Sequence, residues 1–225
     1  MHYTSGAAQI ILASASPRRR ELLQQICIKA IVQPVDIDES QKQDEPVNDY
    51  VERLAMEKAQ RGFDIISNDI NNDKNLPVLG SDTIVEIDGQ VLGKPENRQH
   101  AKKMLMQLSG KNHEVHTSVA IVTHDKSVMM TSSSQVEFKT LGTQEIDSYL
   151  ASGEADDKAG AYAIQGIAAQ FVKNINGSFS GVMGLPLYET VELLKQCGVT
   201  PLEKIIEQTI DQTIDQTIDQ TIDQA

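Results

Sequence analysis

Gln9 to Ala13, apolar from Ile10 onward, reads as a buried strand, and Ser16 and Pro17 then open a helix to about residue 28. Ser16 reads as its N-cap and Pro17 as its first helical residue. Residues 30–37 form a second strand candidate. A stripe of Val47, Tyr50, Val51, Leu54 and Ala55 predicts a helix over 46–62, followed by a surface loop over the Asn- and Asp-rich residues 64–77. Asp88 and Gly89 separate two alternating runs, residues 78–87 and 90–92, as the turn of a hairpin. Further on, the pattern predicts a helix at 97–109, strands at 114–123 and 128–138, and a helix at 143–151. A glycine-punctuated stretch at 158–166, strands around Asn176 and Gly177, and a last helix at 187–197 complete the reading. Strands and helices interleave around at least one hairpin, so the expected class is α/β with a mixed sheet.

The last residues follow a different rule, because from Glu207 a Thr-Ile-Asp-Gln unit recurs to Gln224. A step of four residues rotates each Ile by about 40° from the one before on a helix, so the tetrads make no fixed packing face. The tail is therefore read as an acidic, low-complexity appendage over 205–225, with association through it as the other reading.

Composition narrows the function. At 225 residues and 40% hydrophobic, the chain is long enough for a core. Twenty Lys and Arg against 32 Asp and Glu leave a net charge of −12, which argues against a broad basic surface for nucleic acid, so a polyanionic ligand must meet a local cationic pocket. No run approaches the length of a membrane-spanning helix, and the short apolar stretch at 7–15 has no Lys or Arg before Arg18, unlike a secretory signal. Cys27 and Cys197 fit neither a disulfide framework nor a zinc site and read as buried thiols in helical segments of a cytoplasmic protein.

Candidate chemistry begins at Ser14-Ala15-Ser16-Pro17-Arg18-Arg19-Arg20, where three arginines open a helix directly after a strand. Free amides, the positive dipole end and guanidinium forks together make an anion site, and arginines placed there are unfavourable until an anion arrives. The other reading is a solvated basic turn. Asp82 interrupts an apolar strand, so it is paired, metal-bound or open to a cleft, unless it caps a turn at the strand end. Lys94 lies twelve residues on, past the hairpin, where the returning arm brings it to the same end as Asp82. Lys58 continues the inward stripe of its helix and either snorkels or enters a polar pocket. Glu39 stands among the acids of residues 36–39 and would hold a divalent cation through oxygen or simply lie on an acidic surface loop. His113 and His116 fall on opposite faces of one strand, which speaks against a zinc pair. P-loop, nucleophile-elbow and dinucleotide fingerprints do not occur.

Taken in order, these segments resemble the Maf family of nucleoside triphosphate pyrophosphatases from about Ile11 to Gly198. The likeness is carried by the residues 12–19, by Glu57-Lys58-Ala59, by Gly80-Ser81-Asp82-Thr83 with Gly93-Lys94-Pro95, by residues 157–166, and by Gly184-Leu185-Pro186-Leu187. It implies a Maf/ITPase-like domain over 1–204, with a mixed, strongly twisted sheet and flanking helices in two lobes around a deep cleft. It further implies a homodimer and Mg²⁺- or Mn²⁺-dependent hydrolysis between the α and β phosphates. By position, Ser14, Arg18, Arg19, Lys58 and Lys94 would bind the triphosphate, Asp82 would accept the proton, and Glu39 would help hold the cation. Arg18, Thr83 and Gln165 match the pattern of the branch acting on dTTP and UTP, where the 7-methyl-GTP branch has Trp, Gln and Glu. Ser81 stands where Ala is frequent, and Asp38 where Glu is. A nucleotide-responsive regulator of septum formation is the alternative the family's history suggests.

Overall fold

The computed structural model of the chain describes residues 7–68 and 76–201; the tetrad tail lies outside them. Its sheet has seven strands: β1 (Ile10–Leu12), β2 (Ala30–Val32), β3 (Val78–Ile87), β4 (Gln90–Leu92), β5 (Asn112–Val122), β6 (Ser127–Phe138) and β7 (Val172–Asn176). Their order is β2-β1-β3-β5-β6-β7, with β4 folded back on β3. β1 pairs parallel with β2 and β3, and every other pairing is antiparallel, so the sheet is mixed. Among the described residues six α-helices flank it: α1 (Pro17–Gln25), α2 (Val47–Ser67), α3 (Arg98–Leu108), α4 (Thr143–Leu150), α5 (Phe179–Met183) and α6 (Leu187–Gln196).

The long strands β3 and β5 serve two separate cores. At one end of the strands Val85, Ile87 and Val115 pack with α3, α4, Phe138 and Phe171. At the other end Leu79, Val119 and Ile121 pack with β1, α1 and α6. Between the two runs a polar belt crosses the sheet: Ser81, Asp82 and Thr83 on β3 face Val119, Ser118 and Thr117 on β5. Buried hydroxyls and a carboxylate cannot join an apolar core without partners, so the sheet divides there into two lobes and the cleft opens at the seam.

Several boundaries differ from the expected ones, each for a local reason. β2 stops at Val32 because Pro34 cannot donate to the ladder. α2 runs five residues beyond 62, since Phe63 and Ile66 continue its apolar stripe onto Ile11 and Val78; residues 69–75 of the expected loop lie outside the description. After Asn176 the chain does not turn into another strand, because Ser178 Oγ accepts from Gly181 N at 3.0 Å and starts α5 instead. The two thiols are half-buried and sit at helix ends. Cys27 follows α1 at a φ of 59°, and Cys197 caps α6, with burial raising its pKa. Among the described residues, no helix is long and apolar enough to cross a membrane.

Candidate active site

β1 delivers the chain into the cleft, and residues 13–19 line it before turning into α1. Pro17 is the first helical residue, but the Ser16 side chain does not cap the helix as expected. Ser14 takes over the local bonding: its Oγ accepts from Ser16 N at 3.2 Å and from Arg19 Nη1 at 3.1 Å. An uncapped first turn lining a cleft is the state in which a helix N-terminus receives an anion. Of the three arginines, Arg18 and Arg19 line the cleft, while Arg20 is exposed outside it.

The carboxylate and the lysine meet because two elements touch backbone to backbone. A Cβ on Gly80 would stand 2.4 Å from both Ala55 O and Ala59 N, so only glycine lets α2 lie directly on β3. That contact brings Lys58 over Asp82. Lys58 Nζ donates to Asp82 Oδ1 at 2.6 Å and lies 2.6 Å from Glu39 Oε1. Lys58 and Asp82 are 8% and 9% exposed, so the lysine enters the polar pocket and does not snorkel. Glu39 reaches in from the loop before α2. Its partial burial works to raise its pKa, yet the Lys58 ammonium, with Lys94 and Arg19 behind it, holds it below the usual value. Lys94 lines the same cleft two residues past Leu92, the partner of Val85 on β3.

Arg19 is largely committed to the protein. Its Nε donates to Gly184 O at 2.8 Å, Nη1 to Ser14, and Nη2 to Thr83 Oγ1 at 3.3 Å, so of the five N–H bonds of a guanidinium two remain for a ligand. Burial lowers its pKa, with Asp82 opposing. Arg18 is lowered by burial in the same way against Asp157, and its Nε donates to Met183 O at 3.3 Å. These bonds join a set that holds residues 181–184 as the floor of the cleft. Ser81 Oγ donates to Gly184 O at 3.1 Å, and Thr117 Oγ1 donates to Gly181 O at 2.8 Å while lying 3.0 Å from Thr83 Oγ1. Gly184 itself has a φ of 117°.

The structure thus brings Ser14, Arg18, Arg19, Glu39, Lys58, Asp82, Thr83, Lys94 and Gln165 onto one cleft of about 580 Å³, within the range of small-molecule sites. The sequence reading passed over Ser81, Thr117, Tyr50 and Asp157. Ser81 was visible only as a departure from a familiar alanine. Thr117 could have been found as the polar residue between apolar neighbours of one strand face. Asp38 is spent locally, accepting from Ser40 N at 2.9 Å and from Ser40 Oγ at 2.6 Å. His113 and His116 have unrelated surroundings: the first meets Tyr162 Oη at 2.8 Å and the second lies between Ser133 and Glu86.

An α/β cleft that gathers three lysines, two arginines and a helix N-terminus around three carboxylates has the charge to receive a small anion. The chain belongs to the Maf family: the Maf-like protein profile matches residues 9–197. Among curated relatives it is 48% identical over 199 residues to the dTTP/UTP pyrophosphatase of Nitrosospira multiformis, covering 85% of this chain and 95% of the relative. It is 51% identical over 189 residues to the dTTP/UTP pyrophosphatase of Aliivibrio fischeri, covering 84% and 98%. A solved structure, the Staphylococcus aureus Ham1 protein, aligns with 57% of this chain and 71% of its own at 13% identity and a TM-score of 0.38, too slight a likeness to carry an argument.

Proposed function

We propose that this protein hydrolyses dTTP and UTP between the α and β phosphates, releasing the nucleoside monophosphate and pyrophosphate as part of nucleotide-pool housekeeping. The observation that carries the reading is Lys58 bridging Asp82 and Glu39 in one cleft with Arg18, Arg19 and Lys94, a positive hollow in a chain of net charge −12. The names of the related pyrophosphatases support it.

A triphosphate with about four negative charges repels a nucleophile until cations absorb that charge. Arg18, Lys94 and the first turn of α1 bind the β and γ phosphates, and the two free N–H groups of Arg19 face the same anion. Ser14 and Thr83 hold the Arg19 fork in place. Asp82 takes the proton from the attacking water as the α–β bridging oxygen leaves with pyrophosphate, so one water enters for each bond broken. The Gln165 amide hydrogen-bonds the O4 and N3–H edge of thymine or uracil, a pattern that cytosine and adenine do not present.

Glu39, a carboxylate at the open side of the cleft, suits a hard divalent cation. Among the described residues no cluster of three or more His, Cys, Asp or Glu is shaped for a metal. Mg²⁺ is commonly held by one or two carboxylates together with substrate phosphates, which is the donor set the cleft offers. When bound, Mg²⁺ or Mn²⁺ supplies charge neutralisation at the phosphates. With a cation held there, the Lys58 ammonium would be released from Glu39 to meet phosphate oxygens. We further infer a homodimer working in the cytoplasm, in keeping with the family.

Purified protein with dTTP and Mg²⁺ or Mn²⁺ is expected to yield dTMP and pyrophosphate. Formation of dTDP and phosphate, or binding of dTTP without turnover, contradicts the reading; the second result is what a regulator would give.

A further inference from the structure

Glu39 enters the cleft from residues 33–46, a connection without regular structure, and its side chain is 53% exposed. Bonds within the loop, Ser40 to Asp38 and Lys42 N to Glu45 Oε2, shape it, and the first turns of α2 anchor it. Arg53 Nε donates to Glu45 Oε1 at 2.6 Å and Nη2 to Glu45 Oε2 at 2.9 Å, a forked pair whose side chains are 14% and 9% exposed. The same Nη2 donates to Ser40 O at 2.9 Å, and Nη1 reaches Glu57 Oε2 at 3.3 Å. One turn earlier, Tyr50 Oη donates to Glu39 O at 2.5 Å, and its ring lies 5.5 Å from the Arg53 guanidinium carbon. The loop is therefore gripped at Glu39 and Ser40 on one side and at Glu45 on the other. Hydrogen bonding to Arg53 lowers the Glu45 carboxyl to about 2, so the pair stays charged throughout the neutral range. Arg53 itself does not line the cleft.

We propose that Arg53 is a positioning residue for the cation site: by holding Glu45 and the Ser40 carbonyl it keeps the Glu39 carboxylate turned toward Asp82 and so sets how tightly the divalent ion is held. The proposal rests on the reading of Glu39 as a cation-holding residue. Partners one step removed from a metal ligand typically change affinity by about 10–100-fold. A planar fork is needed for the three bonds, which lysine cannot supply.

The test is Mn²⁺ binding by the full-length protein, read as loss of the free-ion electron paramagnetic resonance signal, with and without the α,β-methylene analogue of dTTP. The Mg²⁺ dependence of kcat and KM and the thermal midpoint accompany it. Arg53→Gln is expected to weaken Mn²⁺ binding about 10-fold, with kcat at saturating metal near wild type. Arg53→Lys recovers little of this, and the gentler Glu45→Gln moves in the same direction. In the double variant Arg53→Gln/Glu39→Gln, binding is no weaker than in Glu39→Gln alone, because the two act through one carboxylate. Wild-type Mn²⁺ affinity in both Arg53→Gln and Glu45→Gln, or factors that multiply in the double variant, overturns the proposal. Unchanged binding in Glu39→Gln itself overturns the underlying reading of Glu39, a failure seen in a different variant.

Discussion

Lys58 is the side chain on which the site turns, because a single ammonium is shared at 2.6 Å by two carboxylates from different parts of the chain. Breaking a buried ion pair on one side leaves the other charge without its partner, so these residues are poorly exchangeable. Asp82→Asn keeps the shape and one acceptor but removes the proton acceptor. It is expected to lower kcat for dTTP by about 10²–10⁴-fold with little change in the affinity for a non-hydrolysable analogue; turnover near wild type would remove Asp82 from that role. Asp82 and Lys58 were legible from sequence because a charge inside an apolar pattern stands out. Glu39 was not separable from Asp36 and Asp38 by pattern alone, since a loop has no periodicity to say which acid points inward. Ser81 was hidden for the opposite reason, since a hydroxyl is ordinary in a strand; Thr117 stood out between Val115 and Val119, but only the fold shows that both hold residues 181–184.

Between elements, the decisive contact is α2 against β3, and its determinant is the missing side chain of Gly80. Gly80→Ala would place a methyl 2.4 Å from backbone atoms of α2, where no rotamer change relieves it. The helix must move off the strand. A loss of about 1–3 kcal/mol in urea unfolding is expected, the usual result of overpacking, with a fall in kcat as Lys58 is carried away from Asp82. Loss of stability without loss of turnover would show that the glycine serves packing alone. The hairpin at Asp88 and Gly89 and the helical stripes were legible because turn chemistry and periodicity are local. The ends of β2 and α2 depended on Pro34 and on the packing of Phe63 and Ile66 against strands far along the chain. The division of β3 and β5 between two cores was likewise invisible, because it depends on which residues face each other across the register.

For the molecule as a whole, the lobe that carries residues 157–166 is sealed by a buried histidine. His113 is 2% exposed, packs edge-on against Phe138 and Tyr162, and has Nδ1 without a partner. Burial lowers its pKa from 6.5 to about 4. Below its unfolded value the unfolded chain takes up a proton that folded His113 refuses, so the contribution of this group is fully present above pH 6.5 and is lost as the pH falls toward 4. This group alone is expected to cost about 2 kcal/mol between pH 7.5 and pH 5. His113→Phe should flatten the unfolding free energy over that interval by a similar amount, and an unchanged pH dependence would show that His113 is protonated in the folded state. The tetrad tail adds acidic charge outside the matched family region.

The central claim, that cations converge on a triphosphate so that water attacks its α phosphorus, is tested most directly by turnover of dTTP in water labelled with heavy oxygen, followed by phosphorus NMR and mass spectrometry of the products. The account predicts the label in dTMP and none in pyrophosphate. Label in pyrophosphate, or products of dTDP and labelled phosphate, would contradict it.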